Sequence, residues 1–258
     1  MDTLTIERPP DVLRMLADDV RWRLVRALAR SDRRVRELVD AIGAPYNLVS
    51  YHLKQLHQHR LVDEHRSSRD GRDVYYSLNL DQLRDSFLFS ADSLHPAIRP
   101  TPTPELLGDS AARTKPRVLI LCTHNSSRSQ MAEGILRSMS NDSIEVASAG
   151  SEPTTVNPEA IAAMEHAGID ISHQHSKSME EFTGQTFDYV ITVCDSVREV
   201  CPVFPGDPER IHWSFPDPSE VPDPAERERA FDQTILGLTN RFCHLITLID
   251  RERENSDQ

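Results

Sequence analysis

The sequence predicts two domains of different class: a mainly α domain with one β-hairpin, followed by an α/β domain built on a doubly wound parallel sheet. The chain has 258 residues, which as a prior corresponds to about two domains. Apolar residues recur at helical spacing before residue 90, whereas strands alternate with helices after residue 116. Between these segments, prolines gather in "HPAIRPTPTPE", which is typical of an extended linker. We therefore divide the chain into residues 1–90, 91–115 and 116–258.

Composition and charge limit the function classes. The chain is 38% hydrophobic and 27% charged, which is ordinary for a soluble globular protein. No apolar run approaches the roughly 18 residues of a membrane span, and "MDTLTIERPP" does not resemble a signal peptide. We expect a cytoplasmic protein with no membrane partner. The net charge of −12 is concentrated after residue 90, so nucleic-acid binding is expected only in the near-neutral first segment.

The first segment contains two helices in close succession. "VRELVDAIG" predicts a short helix that stops at Gly43, and Pro45 opens the next helix, "YNLVSYHLKQLHQHR". Val49, Leu53 and Leu56 form one inward stripe, which leaves the other face exposed. Four residues on that face suit base edges and phosphates: Asn47, Ser50, Tyr51 and Lys54.

Two strand-like runs follow these helices and flank a turn signal at Arg69-Asp70-Gly71. Helix, turn, helix and β-hairpin is the order of a mainly α winged helix-turn-helix, with Arg69 and Arg72 placed to reach the DNA backbone. The pattern alone leaves open a small helical interaction domain with a solvated polar face. "VRELVDAIGAPYNLVSYHLKQLHQHRLV" resembles the ArsR-type winged helix regulators, and this resemblance implies a double-stranded DNA operator and a homodimer formed through the first domain. No cysteine precedes Cys122, so the first domain alone cannot bind arsenite through thiolates.

The second segment opens with a continuous apolar strand, "RVLILC". "SRSQMAEGILRSM" has helical spacing, and further strands are expected at Ile144–Ser148 and Tyr189–Cys194. Helices are expected at Pro158–Ala167, capped by Asn157, and at Pro224–Ile249, capped by Asp223. Ligands of such sheets bind at the carboxyl ends of strands, and Cys122 ends the first strand.

The stretch "LILCTHNSSRSQMAEG" predicts an oxyanion site. A loop between a strand end and a helix start directs its backbone N–H groups toward one point, where they can bind a tetrahedral oxyanion. The Arg128 guanidinium can bind two oxygens of the same anion. We expect Cys122 at the base of the loop to have a lowered pKa. The alternative is a buried cysteine beside an exposed arginine. The predicted oxyanion-binding residues are Thr123, His124, Asn125, Ser126, Ser127, Arg128 and Ser129.

The motif C-x5-R-S after a buried strand resembles the low-molecular-weight tyrosine phosphatase superfamily, from Arg117 to Ile249. In that superfamily a late Asp-Pro supplies the general acid. The resemblance therefore implies this role for Asp217 in "HWSFPDPS", where a plain turn residue is the alternative.

The cysteines favour a reductase over a phosphatase. "VITVCDSVREVCP" contains Cys194 and Cys201, and a thiol relay would use both to supply two electrons. "CTHNSSRSQMAEG", "SAGSEPTTVNPEAIAAMEHAGIDIS" and "DYVITVCDSVREVCPVFPG" resemble the thioredoxin-coupled arsenate reductases. That resemblance implies arsenate as substrate, Cys122 as nucleophile, Cys194 and Cys201 as resolving thiols that form a redox-active disulfide, and thioredoxin as external reductant. The alternative is a regulator with a tyrosine phosphatase or non-catalytic oxyanion- or redox-sensing domain. We expect Cys243 to pack in the core.

Related reductases often hold a potassium ion beside the catalytic loop, and the resemblance places Asn125, Glu133 and Ser148 among its ligands. The fourth ligand position is occupied by Lys177, in a chain with only three lysines. We predict that its ammonium group replaces the ion, with an exposed surface lysine as the alternative.

We expect no metal site, because the cysteines match no common zinc spacing, and no tightly bound cofactor.

Overall fold

The computed structural model describes residues 8–67, 73–94 and 115–255, which form two compact units that we describe separately. The first unit contains five helices: α1 (Asp11–Leu16), α2 (Asp19–Ala27), α3 (Val35–Ile42), α4 (Tyr46–Gln58) and α5 (Leu80–Leu94). Its strands are β1 (Arg33–Arg34), β2 (Val62–Arg66) and β3 (Val74–Leu78), in the sheet order β1-β3-β2. This is the mainly α winged helix-turn-helix that the sequence predicts.

Local signals determine where these helices begin and end. The Asp18 side chain accepts hydrogen bonds from two N–H groups of the first turn of α2. Gly43 ends α3 with φ of 64°, a conformation that glycine adopts without steric cost. Pro45 then precedes α4, whose Val49, Leu53 and Leu56 are fully buried as predicted. Helix α5 continues to Leu94, past the boundary predicted at residue 90.

The second unit is built on four parallel strands: β4 (Arg117–Cys122), β5 (Glu145–Gly150), β6 (Tyr189–Thr192) and β7 (Glu209–His212). Four helices accompany them: α6 (Arg128–Met139), α7 (Pro158–His166), α8 (Asp195–Val200) and α9 (Pro224–Asn255), with 3-10 turns at Met179–Phe182 and Pro218–Glu220. The sheet order β5-β4-β6-β7 is that of a doubly wound fold. The predicted helices and strands are present, and α9 runs six residues past Ile249.

The strand order determines where a ligand can bind. The chain leaves β4 for β5 on one side and returns to β6 on the other side. A crevice therefore opens at the carboxyl end of β4, which is the usual ligand site of such sheets. Cys122 ends β4, and Cys194 lies two residues beyond the end of β6. The topology thus brings two thiols to the same edge of the sheet.

Our prediction for Cys243 is wrong, because its side chain is exposed. The buried face of α9 carries Leu238, Phe242, Leu245 and Ile249. Each residue of an α-helix turns about 100° from the last, so Cys243 lies well off the centre of this face. In the part of the chain that the structure describes, no helix is long and apolar enough to span a bilayer.

Candidate active site

The loop after β4 has its carbonyl groups tied outward. The carbonyls of Cys122, Thr123 and His124 accept from the N–H groups of Ser151 (3.4 Å), Glu152 (2.8 Å) and Thr154 (3.0 Å), in that order. The Ser126 carbonyl accepts from Asn157 N–H at 3.0 Å, and the Asn125 carbonyl accepts from Ser176 Oγ at 2.7 Å. In a planar trans peptide the N–H points opposite to the preceding carbonyl. The N–H groups of residues 123–127 therefore face the inside of the loop.

Asn125 fixes the shape of this loop. Its φ of 46° is left-handed, which asparagine tolerates better than most residues. Its N–H donates to Cys122 Sγ at 3.1 Å, which shows that the loop amides point toward the sulfur. Gly150 runs alongside, and a Cβ at this position would lie 2.6 Å from the Thr123 carbonyl oxygen. Only glycine leaves room for this close approach.

The side chain of Asn125 connects the loop to the nucleophile. Its Nδ2 donates to Ser129 Oγ at 2.9 Å and to Ser148 Oγ at 2.8 Å. Ser129 Oγ lies 2.8 Å from Cys122 Sγ. Since this hydroxyl already accepts from Asn125, its hydrogen is free to donate to the sulfur. The arrangement stabilises a negatively charged sulfur once it forms.

Our prediction that the pKa of Cys122 is lowered is wrong for the ligand-free protein. Burial raises the pKa of this thiol, the nearby Cys194 adds to the rise, and the Ser129 hydrogen bond and the Arg128 charge only partly oppose it. Arg128 is not free to act on the sulfur alone, because its Nη2 pairs with Asp217 Oδ2 at 2.5 Å. The carboxylate takes up much of the positive charge on which the prediction depended.

Asp217 is held beside the oxyanion loop. Besides the ion pair with Arg128, its Oδ1 accepts from Ser219 N–H at 3.1 Å and from Ser219 Oγ at 2.6 Å. Arg128 Nη1 also donates to the Phe215 carbonyl at 2.9 Å. Both charged side chains are mostly buried. The structure thus brings together Arg128, which the sequence predicts to bind the oxyanion, and Asp217, which it predicts as the general acid.

These groups surround a small cavity of about 160 Å³. Its lining residues are Cys122, His124, Ser126, Ser127, Arg128, Thr154, Asp217 and Ser219. Our sequence analysis missed Thr154 and Ser219, because they approach the loop only through tertiary packing. The cavity is small, and its lining residues include one ring, the His124 imidazole, and no Phe, Tyr or Trp. The cavity suits a compact inorganic oxyanion.

The second predicted thiol lies at the edge of the loop. Cys194 is 2% exposed, and its Sγ lies 3.3 Å from Thr123 Oγ1. It is close enough to Cys122 for its charge to raise the pKa of that thiol. Cys201 follows at the other end of α8 and is partly exposed. Burial raises the pKa of Cys201, and the Arg210 charge opposes this.

Lys177 lies beside the buried Glu133 carboxylate. Its Nζ donates to Glu133 Oε2 at 3.2 Å, and its backbone N–H donates to Asn125 Oδ1 at 2.7 Å. Ser148 Oγ donates to the same Glu133 oxygen at 2.5 Å. The Glu133 side chain is 4% exposed and also pairs with Arg137. In the described part of the chain, no cluster of three or more His, Cys, Asp or Glu side chains is arranged to hold a metal.

In the first unit, α4 presents the predicted polar face. Asn47, Tyr51 and Lys54 are exposed, and Ser50 is half-buried. Arg69 and Arg72, which we predicted at the hairpin tip, lie outside the described residues.

Comparison with known proteins agrees with both halves of this description. The chain belongs to the low molecular weight phosphotyrosine protein phosphatase family, whose model matches residues 117–255. A second model, for bacterial regulatory proteins of the arsR family, matches residues 18–64. The chain therefore combines an arsR-family helix-turn-helix with a phosphatase-like α/β domain.

Several relatives carry the name arsenate reductase. One from Halalkalibacterium halodurans is 45% identical over 104 residues, or 40% of this chain and 75% of the relative. One from Bacillus subtilis is 40% identical over 118 residues, or 46% of this chain and 85% of the relative. A solved structure of an arsenate reductase in its intermediate state is 35% identical, with a TM-score of 0.45, and spans 52% of this chain and 98% of that one.

The raised pKa of Cys122 predicts its reactivity in the ligand-free protein. A thiol whose pKa is raised is protonated at neutral pH and becomes a thiolate only as the pH rises through the raised value. We expect the alkylation rate of Cys122 with iodoacetamide to keep increasing above pH 8.5, which is about the ordinary thiol pKa. Mass spectrometry of the Cys122 peptide measures the rate. Ser129→Ala removes a hydrogen bond that lowers the pKa of Cys122. In this variant we therefore expect the alkylation rate to rise at a higher pH than in the wild type. A wild-type rate that is already constant below pH 7 would contradict this account.

Proposed function

We propose that the second domain reduces arsenate to arsenite by a relay through Cys122, Cys194 and Cys201. The observation that supports this most is the position of Cys194 beside Thr123, at the edge of a loop built for a tetrahedral oxyanion. Hydrolysis of a phosphate ester needs the loop and an acid, but no second thiol. The relatives named arsenate reductase point the same way.

The first step attaches arsenic to sulfur. Arsenate binds to the inward amides and to Arg128, and the bound dianion accepts the proton of the Cys122 thiol. The thiolate attacks arsenic and forms an S–As bond. Asp217, which takes up a proton from solvent once arsenate has displaced it from Arg128, donates that proton to the oxygen that leaves as water. Ser129 stabilises the sulfur through its hydrogen bond.

The second step transfers two electrons. The Cys194 thiolate attacks Cys122 Sγ, the electron pair of the S–As bond stays with arsenic, and arsenite leaves. A Cys122–Cys194 disulfide remains. Cys201 then attacks Cys194, which frees Cys122 and leaves a Cys194–Cys201 disulfide for an external dithiol. The sum is one arsenate and two thiols converted to one arsenite, one disulfide and one water.

The last exchange requires α8 to change shape. Cys201 follows Cys194 by seven residues across this helix. An α-helix rises about 1.5 Å per residue, so the two Cα atoms lie about 10 Å apart, whereas a disulfide needs less than about 7 Å. The helix must therefore unwind. Unwinding brings Cys201 to Cys194 and leaves the Cys201 sulfur of the disulfide toward solvent, where a protein dithiol of the thioredoxin type can attack it. We place this chemistry in the cytoplasm, because that compartment keeps thiols reduced.

The main competing function is that of a tyrosine phosphatase, which the family match itself favours. The small volume of the cavity, about 160 Å³, and a lining without Phe, Tyr or Trp argue against an aromatic substrate.

Substitution of each cysteine separates the steps of the relay. We expect Cys122→Ser to abolish all turnover, because no S–As bond can form. Cys194→Ser and Cys201→Ser are expected to stop multiple turnovers, with at most one arsenite released per enzyme. Arsenite formation with thioredoxin and its reductase measures this. Any phosphatase activity is expected to survive the last two changes, and Cys243→Ser, on the exposed face of α9, serves as the control. Full steady-state turnover by Cys201→Ser would contradict the relay.

We also propose that Lys177 takes the place of a potassium ion beside the catalytic loop. Its ammonium group and Arg137 together balance the buried Glu133 carboxylate. Ser148 donates a hydrogen bond to Glu133 and accepts one from Asn125. Asn125 also donates to the Ser129 hydroxyl, which contacts the Cys122 sulfur. A compact ammonium on a flexible stem fits such an oxygen-lined position.

Exchange of potassium for sodium tests this proposal. For the wild type, we expect unchanged arsenate kinetics and an unchanged melting temperature. Lys177→Asp removes the internal cation and adds an oxygen ligand, so we expect potassium dependence to appear. Lys115→Asp is the matched control, because Lys115 is exposed ahead of β4. Clear activation of the wild type by potassium would rule the substitution out.

We propose that the first domain binds a palindromic DNA operator as a homodimer. Asn47, Ser50, Tyr51 and Lys54 would contact the DNA, with Arg69 and Arg72 on phosphates. The exposed face of α4 supports this, as does the arsR-family match. Helix α5 leaves Phe89 69% and Leu94 68% exposed, which is the kind of apolar surface that a second copy would cover.

Salt-dependent binding of operator DNA distinguishes the roles on α4. We expect Lys54→Ala to weaken binding to all sequences and to lower the salt slope by about two, because each subunit of the homodimer loses one phosphate contact. Asn47→Ala is expected to relax the preference at one base position instead. Lys115→Ala is the control, because it removes an exposed lysine of the second domain. An unchanged affinity and salt slope for Lys54→Ala would exclude the proposed interface.

A further inference from the structure

A buried polar cluster lies beneath the start of α8, and the relay described above does not use it. Asp195 Oδ1 accepts from His212 Nε2 at 3.2 Å and from Ser214 Oγ at 2.5 Å. His212 Nδ1 lies 2.8 Å from Thr192 Oγ1. All four residues are at most 6% exposed. We call these four residues the α8 anchor.

Such a cluster is costly unless it fixes one conformation. A buried carboxylate needs partners that replace its hydration, and in other proteins apolar replacements of buried ion pairs are often no less stable. The carboxylate only accepts, so His212 Nε2 is the donor toward Asp195. The partners come from the ends of β6 and β7 and from the loop after β7. The anchor therefore joins the first residue of α8 to the rigid sheet.

The anchor is next to the first resolving thiol. Asp195 follows Cys194 directly, and Cys194 is the residue before the first turn of α8. The other end of the helix is different: Cys201 is partly exposed, and Val203 is 86% exposed. One end of α8 is fixed to the sheet through buried side chains, while the other end borders solvent.

We propose that Asp195, His212 and Ser214 are positioning residues that hold Cys194 at Cys122 while the Cys201 end of α8 unwinds and moves. This proposal rests on the thiol relay. Both exchange steps need Cys194 to stay in place, because it first attacks Cys122 and is then attacked by Cys201. The α8 anchor holds the Cys194 end of α8 in place, while the Cys201 end moves.

The holding role is tested with a chemical oxidant in place of arsenate. In a Cys201→Ser background, diamide accepts two electrons and two protons and leaves the Cys122–Cys194 disulfide. We expect His212→Gln and the milder Ser214→Ala to slow disulfide formation by about tenfold or more, since a misplacement of about 1 Å can cost a factor of about 100. Alkylation of Cys122 by iodoacetamide is expected to stay within about twofold, because the oxyanion loop is untouched.

Ser140→Ala is the matched control, since Ser140 is equally buried at 6% but caps the end of α6. Disulfide formation at the wild-type rate in both variants would overturn the proposal. A parallel loss of disulfide formation and alkylation would also overturn it, because that result indicates general destabilisation. Arsenate takes no part in this assay, so a failure of the proposed reductase activity would show separately, in wild-type turnover.

Hydrogen exchange tests which end of α8 moves. In a Cys122→Ser background, diamide forms the Cys194–Cys201 disulfide. We expect amide protection to fall in residues 197–204 and to persist in residues 192–195. Equal loss of protection in both segments would overturn the assignment of a fixed end.

Discussion

The hydrogen bonds that turn the carbonyls of residues 122–126 outward determine what this site can do. Because each peptide is planar, the outward carbonyls force the following N–H groups inward, toward Cys122. The left-handed Asn125 and the missing side chain at Gly150 make this geometry possible. The oxyanion site that we propose is thus formed before any ligand arrives, and its reorganisation cost is paid during folding.

The fold places two further functional groups, the Cys194 thiol and the Asp217 carboxylate, beside this loop. The doubly wound sheet brings Cys194 from β6 to the loop that follows β4. The long chain segment to Asp217 supplies a carboxylate that pairs with Arg128 in the absence of substrate. In the mechanism that we propose, an arriving oxyanion competes for Arg128 and releases Asp217, which then acts on the departing oxygen. In the ligand-free protein, burial is the main cause of the raised pKa of the Cys122 thiol, and the Arg128 charge opposes it.

Much of the fold follows from local signals in the sequence. The strand ending at Cys122, the capped helix at Pro158 and the stripe on α4 each depend on residues within one or two turns. The interior of the site depends on partners far apart in the chain, so Thr154, Ser219 and the α8 anchor were not predicted. The pKa of Cys122 was predicted with the wrong sign because burial depth and the Asp217 partner of Arg128 are tertiary properties. Cys243 was misplaced because a shift of one residue turns a helical side chain by about 100°. The Lys177 ammonium contacts Glu133, one of the three residues that the resemblance specified, and its role as an internal cation stays a prediction.

We propose that this site carries out two-electron reduction and not ester hydrolysis. The most direct measurement compares, on one preparation, arsenite formed from arsenate with phosphate released from an aryl phosphate. Thioredoxin, its reductase and NADPH are present in the first assay. The account predicts arsenite over many turnovers, with one NADPH consumed per arsenite, and much slower release of phosphate. Rapid hydrolysis of the aryl phosphate without formation of arsenite would contradict it.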